Sequence, residues 1–296
     1  QVGSDPNAAN FGVQNLTLPG GVTLDQLADR RRLLGSFDTL RRDIDRGGTM
    51  DAMDQFQREA YAMVSGQAAR QAFDISKEDP RLRDRYGRHT WGQSHLLARR
   101  LIESGVRFVT TVNGQSIIWD THADNFGRLE KTLVPPMERA FATLLDDLSE
   151  RGLLDSTLVI WMGDFGRTPI INAAAGRDHW PQCYSMILAG GGIRGGQVIG
   201  ESDKIGAVPK SRPITPADIH ATVFTALGYD PHGITYHTND GRPCLLSEGQ
   251  PIRELISHWQ SGYDWKQADA RLRALPHFRA EIDGFGIHFL NFTGRR

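Results

Sequence analysis

Apolar residues recur at three- and four-residue steps from Thr23 onward, at Leu24, Leu27, Leu33, Leu34, Phe37, Leu40 and Ile44. That spacing places them on one face of a helix. Thr23 can cap this helix, and the Arg46-Gly47-Gly48 stretch ends it. Residues 49–65 repeat the period with Met50, Met53, Phe56, Ala60 and Met63, which predicts a second helix with an ordinary core-facing stripe. Residues 1–22, interrupted by Pro and Gly, read as an extended segment. After the polar connection "ISKEDPRLRDRYG", a third helical pattern covers 90–104 and stops at Gly105.

The period then shortens. "VRFVTTVNG" (106–114), "STLVIWMGDFG" (156–166) and "YSMILAGGG" (184–192) are short β-rich runs bounded by turn residues and predict strands. Between the first two lies a long helix over 128–151, carrying Leu129, Leu133, Met137, Phe141, Leu144, Leu145 and Leu148. Pro135-Pro136 predicts a kink in it or a start near Pro135. "PADIHATVFTALG" (216–228) gives a further helix, with Thr215 as cap and Pro216 at its first position. Strands alternating with helices over 90–228 predict an α/β layered sheet with flanking helices. Three regions follow: an extended and helical region over 1–88, an α/β core over 89–250, and a tail over 251–296.

Composition narrows the function classes. The chain has 296 residues, 39% hydrophobic and 23% charged, as in ordinary globular proteins. No apolar run approaches the ~18–20 residues that span a bilayer, and no charged-then-apolar leader precedes the first helix, so a soluble protein without membrane partners is expected. The compartment stays open. The opening on Gln1 reads as the interior of something longer. A net charge of −1, with Asp interleaved among the arginines of 29–46, speaks against a nucleic-acid partner. Cys183 and Cys244 lack CxxC spacing and read as free thiols, with a single bridge as the alternative.

Candidate chemistry sits after the strands. In an α/β sheet, ligands bind beyond the carboxyl ends of the strands. "WDTHADNF" follows the first strand with Asp120 and His122, Asp164 ends the second, and His179 lies on the loop beyond. Carboxylate and imidazole are ligands that zinc and manganese accept. The competing assignment has both aspartates capping the following helices and His179 packing on Trp180. Other motifs carry less. "AGGGIRGG" (189–196) lacks the spacing of a phosphate-binding loop, and "GQSHL" around Ser94 lacks the final glycine of a nucleophile elbow. His220 sits on an apolar helix face, and His232 and His237 show no ligand spacing.

The stretch "YGRHTWGQSHLLARRLIESGVRFVTTVNG…WDTHADNF…LLDSTLVIWMGDFGRTPIINAAAGRDHWPQCYSMILAGGGIRGGQVIG" resembles the C-terminal half of a bacterial sulfatase-like family of unassigned function. That family is usually placed with the alkaline-phosphatase-type metallohydrolases. The resemblance covers about residues 5–254, and "MGDFGRTP" with "GRDHWP" are its most specific motifs. It implies an alkaline-phosphatase/sulfatase-like layered sheet lacking its N-terminal strands. It further implies a divalent metal, zinc or manganese, on Asp120, His122, Asp164 and His179. Phe165 stands where the superfamily has a second ligand, and the strand bearing the superfamily's nucleophile is not in this stretch. The implied route is therefore direct attack by a metal-bound hydroxide on a phosphate or sulfate ester. Arg167 or Arg177 would fork onto the anionic oxygens of this small-molecule substrate, or else pair with a neighbouring Asp. Asp178 would orient a metal ligand if His179 binds the ion, and is otherwise a plain turn residue. The alternatives are a non-catalytic binding remnant and a metal-dependent esterase for carboxyl esters. A sheet deprived of its first strands would expose an edge, so homo-oligomerisation is expected.

Residues 255–296, "LISHWQSGYDWKQADARLRALPHFRAEIDGFGIHFLNFTGRR", are similar to the N-terminal segment of microsomal-type epoxide hydrolases, as in a gene fusion or a rearranged reading frame. The nucleophilic Asp and triad of that family are not in this segment, so the similarity implies no catalysis by it. Its pattern predicts a helix with Trp259 and Trp265, then a strand or hairpin around Gly284.

Overall fold

A computed structural model describes residues 3–13, 23, 25, 26, 29, 32, 67–114, 118–238, 240–256 and 286–291, with 67, 68 and 286–291 described by their backbone. The chain forms two compact units, Gln1–Asp84 and Arg85–Arg296. In the first unit, Thr23 does cap. Its Oγ1 accepts from the Gln26 N–H at 3.2 Å, and Gln26 Oε1 accepts from the Thr23 N–H at 3.0 Å. This reciprocal pair satisfies two donors that a helix start otherwise leaves open. Asp25, Gln26, Asp29 and Arg32 are helical. The remainder of that helix, the one expected over 49–65, and the tail helix with Trp259 and Trp265 lie outside the described residues.

The second unit is a mixed α/β arrangement built on a small sheet. Strands β1 (Phe108–Val112), β2 (Thr157–Met162) and β5 (Ile187–Ala189) arise where the three β-rich runs predict them. The sheet order is β1-β10-β2-β5, where β10 is Gly286–Asn291 from the tail; two further strand pairs, β6 (Glu201–Ser202) with β7 (Pro209–Ser211) and β8 (Thr235–His237) with β9 (Pro243–Leu245), lie outside it. β10 pairs antiparallel with both neighbours, from Phe108↔Leu290 on one side to Asn291↔Thr157 on the other. β1 and β2 therefore run parallel, joined by a helical crossover, with a strand more than a hundred residues away in sequence between them.

β2 is buried along Thr157–Ile160, as a central strand covered on both faces should be. Its alternation sorts the layers. Leu158 and Ile160 pack with Ala226 of helix α6 (Pro216–Ala226), joined by Met162, Leu188 and Val223. Trp161 points the other way and meets Phe141 of helix α5 (Val134–Glu150), ring centroids 5.2 Å apart. After helices α1 (Gln67–Phe73) and α2 (Pro80–Tyr86), helix α3 (Thr90–Glu103) packs on α5 and β1 and buries Leu96, Leu97 and Ile102. Among the described residues, no helix is long and apolar enough to cross a membrane.

The long helix expected over 128–151 resolves into three pieces: α4 (Asn125–Arg128), a π-helical turn (Leu129–Leu133) and α5. Pro135 and Pro136 fall in the first turn of α5, where a missing N–H costs little. They cannot donate back to carbonyls of the preceding turn, and that turn is the one with the wider hydrogen-bond spacing. α6 begins as predicted: Thr215 Oγ1 accepts from the Asp218 N–H at 3.2 Å, and Asp218 Oδ2 accepts from the Thr215 N–H at 2.8 Å.

Beneath α5 lies a buried ionic knot. Asp147 accepts from Tyr86 at 2.8 Å and from Arg151 Nε at 2.7 Å, and pairs with Arg99, whose Nε lies 2.8 Å from its carboxylate. The Arg99 side chain is fully buried, and its charge is matched by Asp147 and by the part-exposed Glu103, whose carboxylate stands 2.5 Å from Nη1. Burial, the Asp147 charge and the hydrogen bond to Asp147 together push the Tyr86 phenol far above its ordinary range, so it stays a donor.

Candidate metal centre

The site forms where two loops beyond the carboxyl ends of β1 and β2 are zipped together. After β2 the chain turns into β3 (Gly166–Arg167), loops through 168–178 and returns as β4 (His179–Trp180), with Arg167 opposite His179. The 119–125 loop joins this hairpin by backbone bonds. Asp124 N–H donates to the Ala174 carbonyl at 3.0 Å, Asn125 N–H to Ala175 at 2.9 Å and Arg177 N–H to Thr121 at 3.1 Å. Ala175 and Asp124 take positive φ values of 55° and 44°, a left-handed backbone that non-glycine residues adopt at a cost. A Cβ on Gly176 would stand 1.8 Å from the His122 carbonyl oxygen, so only glycine lets the two loops approach this closely.

This approach gathers side chains nearly sixty residues apart. Asp120 Oδ1 is 3.0 Å from His122 Nε2 and 2.8 Å from His179 Nε2, and the two Nε2 atoms are 3.2 Å apart. His122 Nδ1 donates to Asp178 Oδ1 at 2.5 Å, which fixes the tautomer and leaves the Nε2 lone pair directed into the cluster. Arg167 Nη2 lies 2.7 Å from the same Asp120 oxygen and donates to the Trp119 carbonyl at 3.1 Å. The Phe165 ring stands 4.4 Å from the His179 ring.

Burial opposes ionisation of Asp120, but hydrogen bonds from His179 and Arg167 and the Arg167 charge outweigh it and hold its carboxyl below the usual range. The Asp178 carboxyl is lowered chiefly by its hydrogen bond with His122. Both are anions at neutral pH, as ligation and ligand orientation require.

Of the four residues expected to bind metal, Asp120, His122 and His179 come together, their ligand atoms all within 4.8 Å of one another. Asp164 is not in this group; its Oδ1 accepts from the Phe165 N–H beside it at 3.0 Å. Asp178 accepts from His122, one of the clustered ligand candidates. Arg167 takes the alternative considered for it, pairing with Asp120. Arg177 donates from Nε and Nη2 to the carbonyls of Thr168 and Arg167, at 2.6 and 3.2 Å. Cys183 and Cys244 are free.

Sequence reasoning missed Asn172. Its Nδ2 donates to the His122 carbonyl at 3.0 Å and to Asp178 at 3.2 Å, while Oδ1 accepts from Ala174 and Gly176 N–H groups at 3.0 and 2.9 Å. An Asn opening a glycine- and alanine-rich loop is the signal that could have found it, because its side chain can satisfy the backbone two residues on.

Comparison with known proteins sets the family. A profile described as "Epoxide hydrolase N terminus" matches residues 242–296. The chain is 42% identical over 48 residues to a putative epoxide hydrolase of Stigmatella aurantiaca, covering 15% of this chain and 11% of that protein. It is 35% identical over 40 residues to epoxide hydrolase 1 of Oryctolagus cuniculus, covering 14% of this chain and 9% of that one. The chain thus spans about a tenth of the length of these relatives. No solved structure matches. Residues 1–256 match the profile of a family without assigned function, and no sulfatase or alkaline-phosphatase family matches. That finding overturns the sulfatase-like, alkaline-phosphatase-type membership and, with it, the hydrolysis of phosphate or sulfate esters and the remnant of a sulfatase-like protein. The physical reason is that Asp and His after strand ends report ligand chemistry, which unrelated reactions share. With its profile covering most of the sequence, the chain belongs to the family described as "Protein of unknown function (DUF1501)".

Proposed function

We propose that this chain is a divalent-metal protein whose ion, zinc or manganese, is held by Asp120, His122 and His179. The carrying observation is the triangle of ligand atoms with edges of 3.0, 2.8 and 3.2 Å. Atoms bound at ~2.0–2.1 Å to one tetrahedral ion stand roughly 3.3 Å apart, so the triangle has the size as well as the donor chemistry of a three-ligand face. Two imidazoles and one carboxylate form a ligand set used at metal sites that keep an open position for an outside molecule. The half-exposed rings, at 45% for His122 and 49% for His179, leave such a position accessible.

When bound, an ion of this kind supplies Lewis-acid polarisation of a carbonyl or of water. The chain's own residues do the rest. Asp178 holds the His122 imidazole in the ligating tautomer, and Asn172 holds Asp178. Arg167 shares the Asp120 oxygen and so balances its charge before an ion arrives. The test is metal content by plasma mass spectrometry after purification, chelation and reloading with zinc or manganese. About one equivalent per chain that His179→Ala abolishes supports the reading, and sub-stoichiometric metal after reloading of the unmodified chain overturns it.

A further inference from the structure

A cavity of about 330 Å³ lies beside the metal cluster, lined by Trp119, Trp161, Phe165, Tyr184, Met162 and Met186 and by no charged residue. Its size is that of a small-molecule site. Three of the rings are each braced by another ring that does not itself line the cavity. Trp119 stacks on Trp91 with centroids 5.7 Å apart and planes 27° apart, Trp161 meets Phe141 at 5.2 Å, and Phe165 meets His179 at 4.4 Å. Trp119 is fixed a second time, because its indole N–H donates to the Asn113 backbone carbonyl. Walls held this way resist folding inward to fill the space, and a preformed site loses little freedom when a compound enters. Ile187 and Tyr184, 42% and 36% exposed, give the lining its contact with solvent.

We infer that this cavity binds an uncharged aromatic compound of one or two rings. The volume bounds its size. Aromatic walls, with thioether sulfur beside them, favour a planar π system over a saturated skeleton of the same bulk. A charge on the compound would lose its water without meeting a countercharge, since the lining supplies none. Binding stands on the cavity alone. That the compound also serves as substrate rests on the metal reading proposed above, with the centre one ring away across Phe165.

The test is calorimetric titration of the full chain with three compounds: indole, indole-3-carboxylate, which adds a charge to the same rings, and cyclooctanol, which is uncharged but saturated. Metal content is measured on the same preparation. Expected is one-to-one binding of indole, about tenfold tighter than cyclooctanol and more than about tenfold tighter than the carboxylate. Phe165→Leu should narrow the preference for indole over cyclooctanol. Ile187→Lys should weaken indole and strengthen indole-3-carboxylate by supplying the missing countercharge. Its exposed position in the lining spares the core, which keeps the test open if the Phe165 variant does not fold. Indole bound no better than cyclooctanol, or no better than its carboxylate, overturns the inference, as does the absence of binding. Preferential indole binding by a chain that takes up no metal would sustain the cavity and remove the metal reading alone. A full metal equivalent without indole binding would do the reverse.

Discussion

His122 Nδ1 stands 2.5 Å from Asp178 Oδ1, a contact between two loops that bonds the far side of a metal-facing imidazole. The carboxylate accepts from Nδ1 and orients the ring so that Nε2 faces Asp120 and His179. Asp178→Asn should therefore leave one metal per chain but weaken its affinity about 10–100-fold, read by competition against a chromophoric chelator. Unchanged affinity would show that His122 keeps its orientation without this partner.

Asp164 and His179 were equivalent candidates from the sequence, and the structure separates them. His179 contributes Nε2 to the ligand triangle, whereas Asp164 bonds the neighbouring backbone. His179→Ala should lose stoichiometric zinc, and Asp164→Ala should retain it with an affinity within about threefold of the parent, because only a direct ligand carries most of the binding energy. Equal loss in both variants would place the ion between β2 and the cluster instead.

Gly176 carries no chemistry, yet the centre depends on it. A methyl group there would meet the His122 carbonyl oxygen at 1.8 Å, backbone against side chain, with no flexible neighbour to yield. Gly176→Ala should separate the two loops and reduce metal affinity at least as much as Asp178→Asn, while far-ultraviolet circular dichroism of the remaining helices is preserved. Metal binding at parental strength would mean that the loops have another way to close.

Much of this arrangement was legible in the chain. The short β-rich runs between turn residues became β1, β2 and β5, the Thr215 cap started α6 where predicted, and the Asp-x-His motif after β1 led to two of the three clustered ligands. Three things were not. Which strands neighbour which depends on long-range pairing, so nothing in "GIHFLN" announced that it would lie between β1 and β2. Whether Asp164 joins the centre depends on the path of a turn a few residues long. Which backbone groups the Asn172 side-chain amide meets is settled only once both loops are folded.

The Asp147 knot predicts a stability effect remote from the site. One carboxylate serves Tyr86, Arg99 and Arg151, and its side chain is 3% exposed. Asp147→Ala would leave the buried Arg99 with Glu103 alone and the Tyr86 hydroxyl without its acceptor, a change that costs about 3 kcal/mol, the low end for breaking a buried pair. Urea denaturation should register that loss. A cost below about 1 kcal/mol would show that the arginine escapes to solvent when its partner is removed.

His95 predicts a pH dependence. Its side chain is fully buried in α3 and donates from Nδ1 to the Trp91 carbonyl at 2.7 Å. Burial pushes its pKa down from 6.5 to about 4, with the Trp91 bond opposing and the nearby His89 adding to the fall. The folded protein therefore keeps this ring neutral while the unfolded chain protonates it near pH 6.5. Between those values the unfolded state binds the extra proton, so stability falls as pH drops from about 6.5 to about 4, by up to ~3 kcal/mol. Below pH 4 both states carry the proton and this group adds no further loss; above 6.5 neither does, and it contributes none. Urea denaturation of the parent and of His95→Gln at several pH values isolates the effect, since the acidic residues common to both cancel in the difference. Their stability gap should narrow steadily on acidification through this window, and a gap independent of pH between 7 and 4.5 would place the responsible proton on another group.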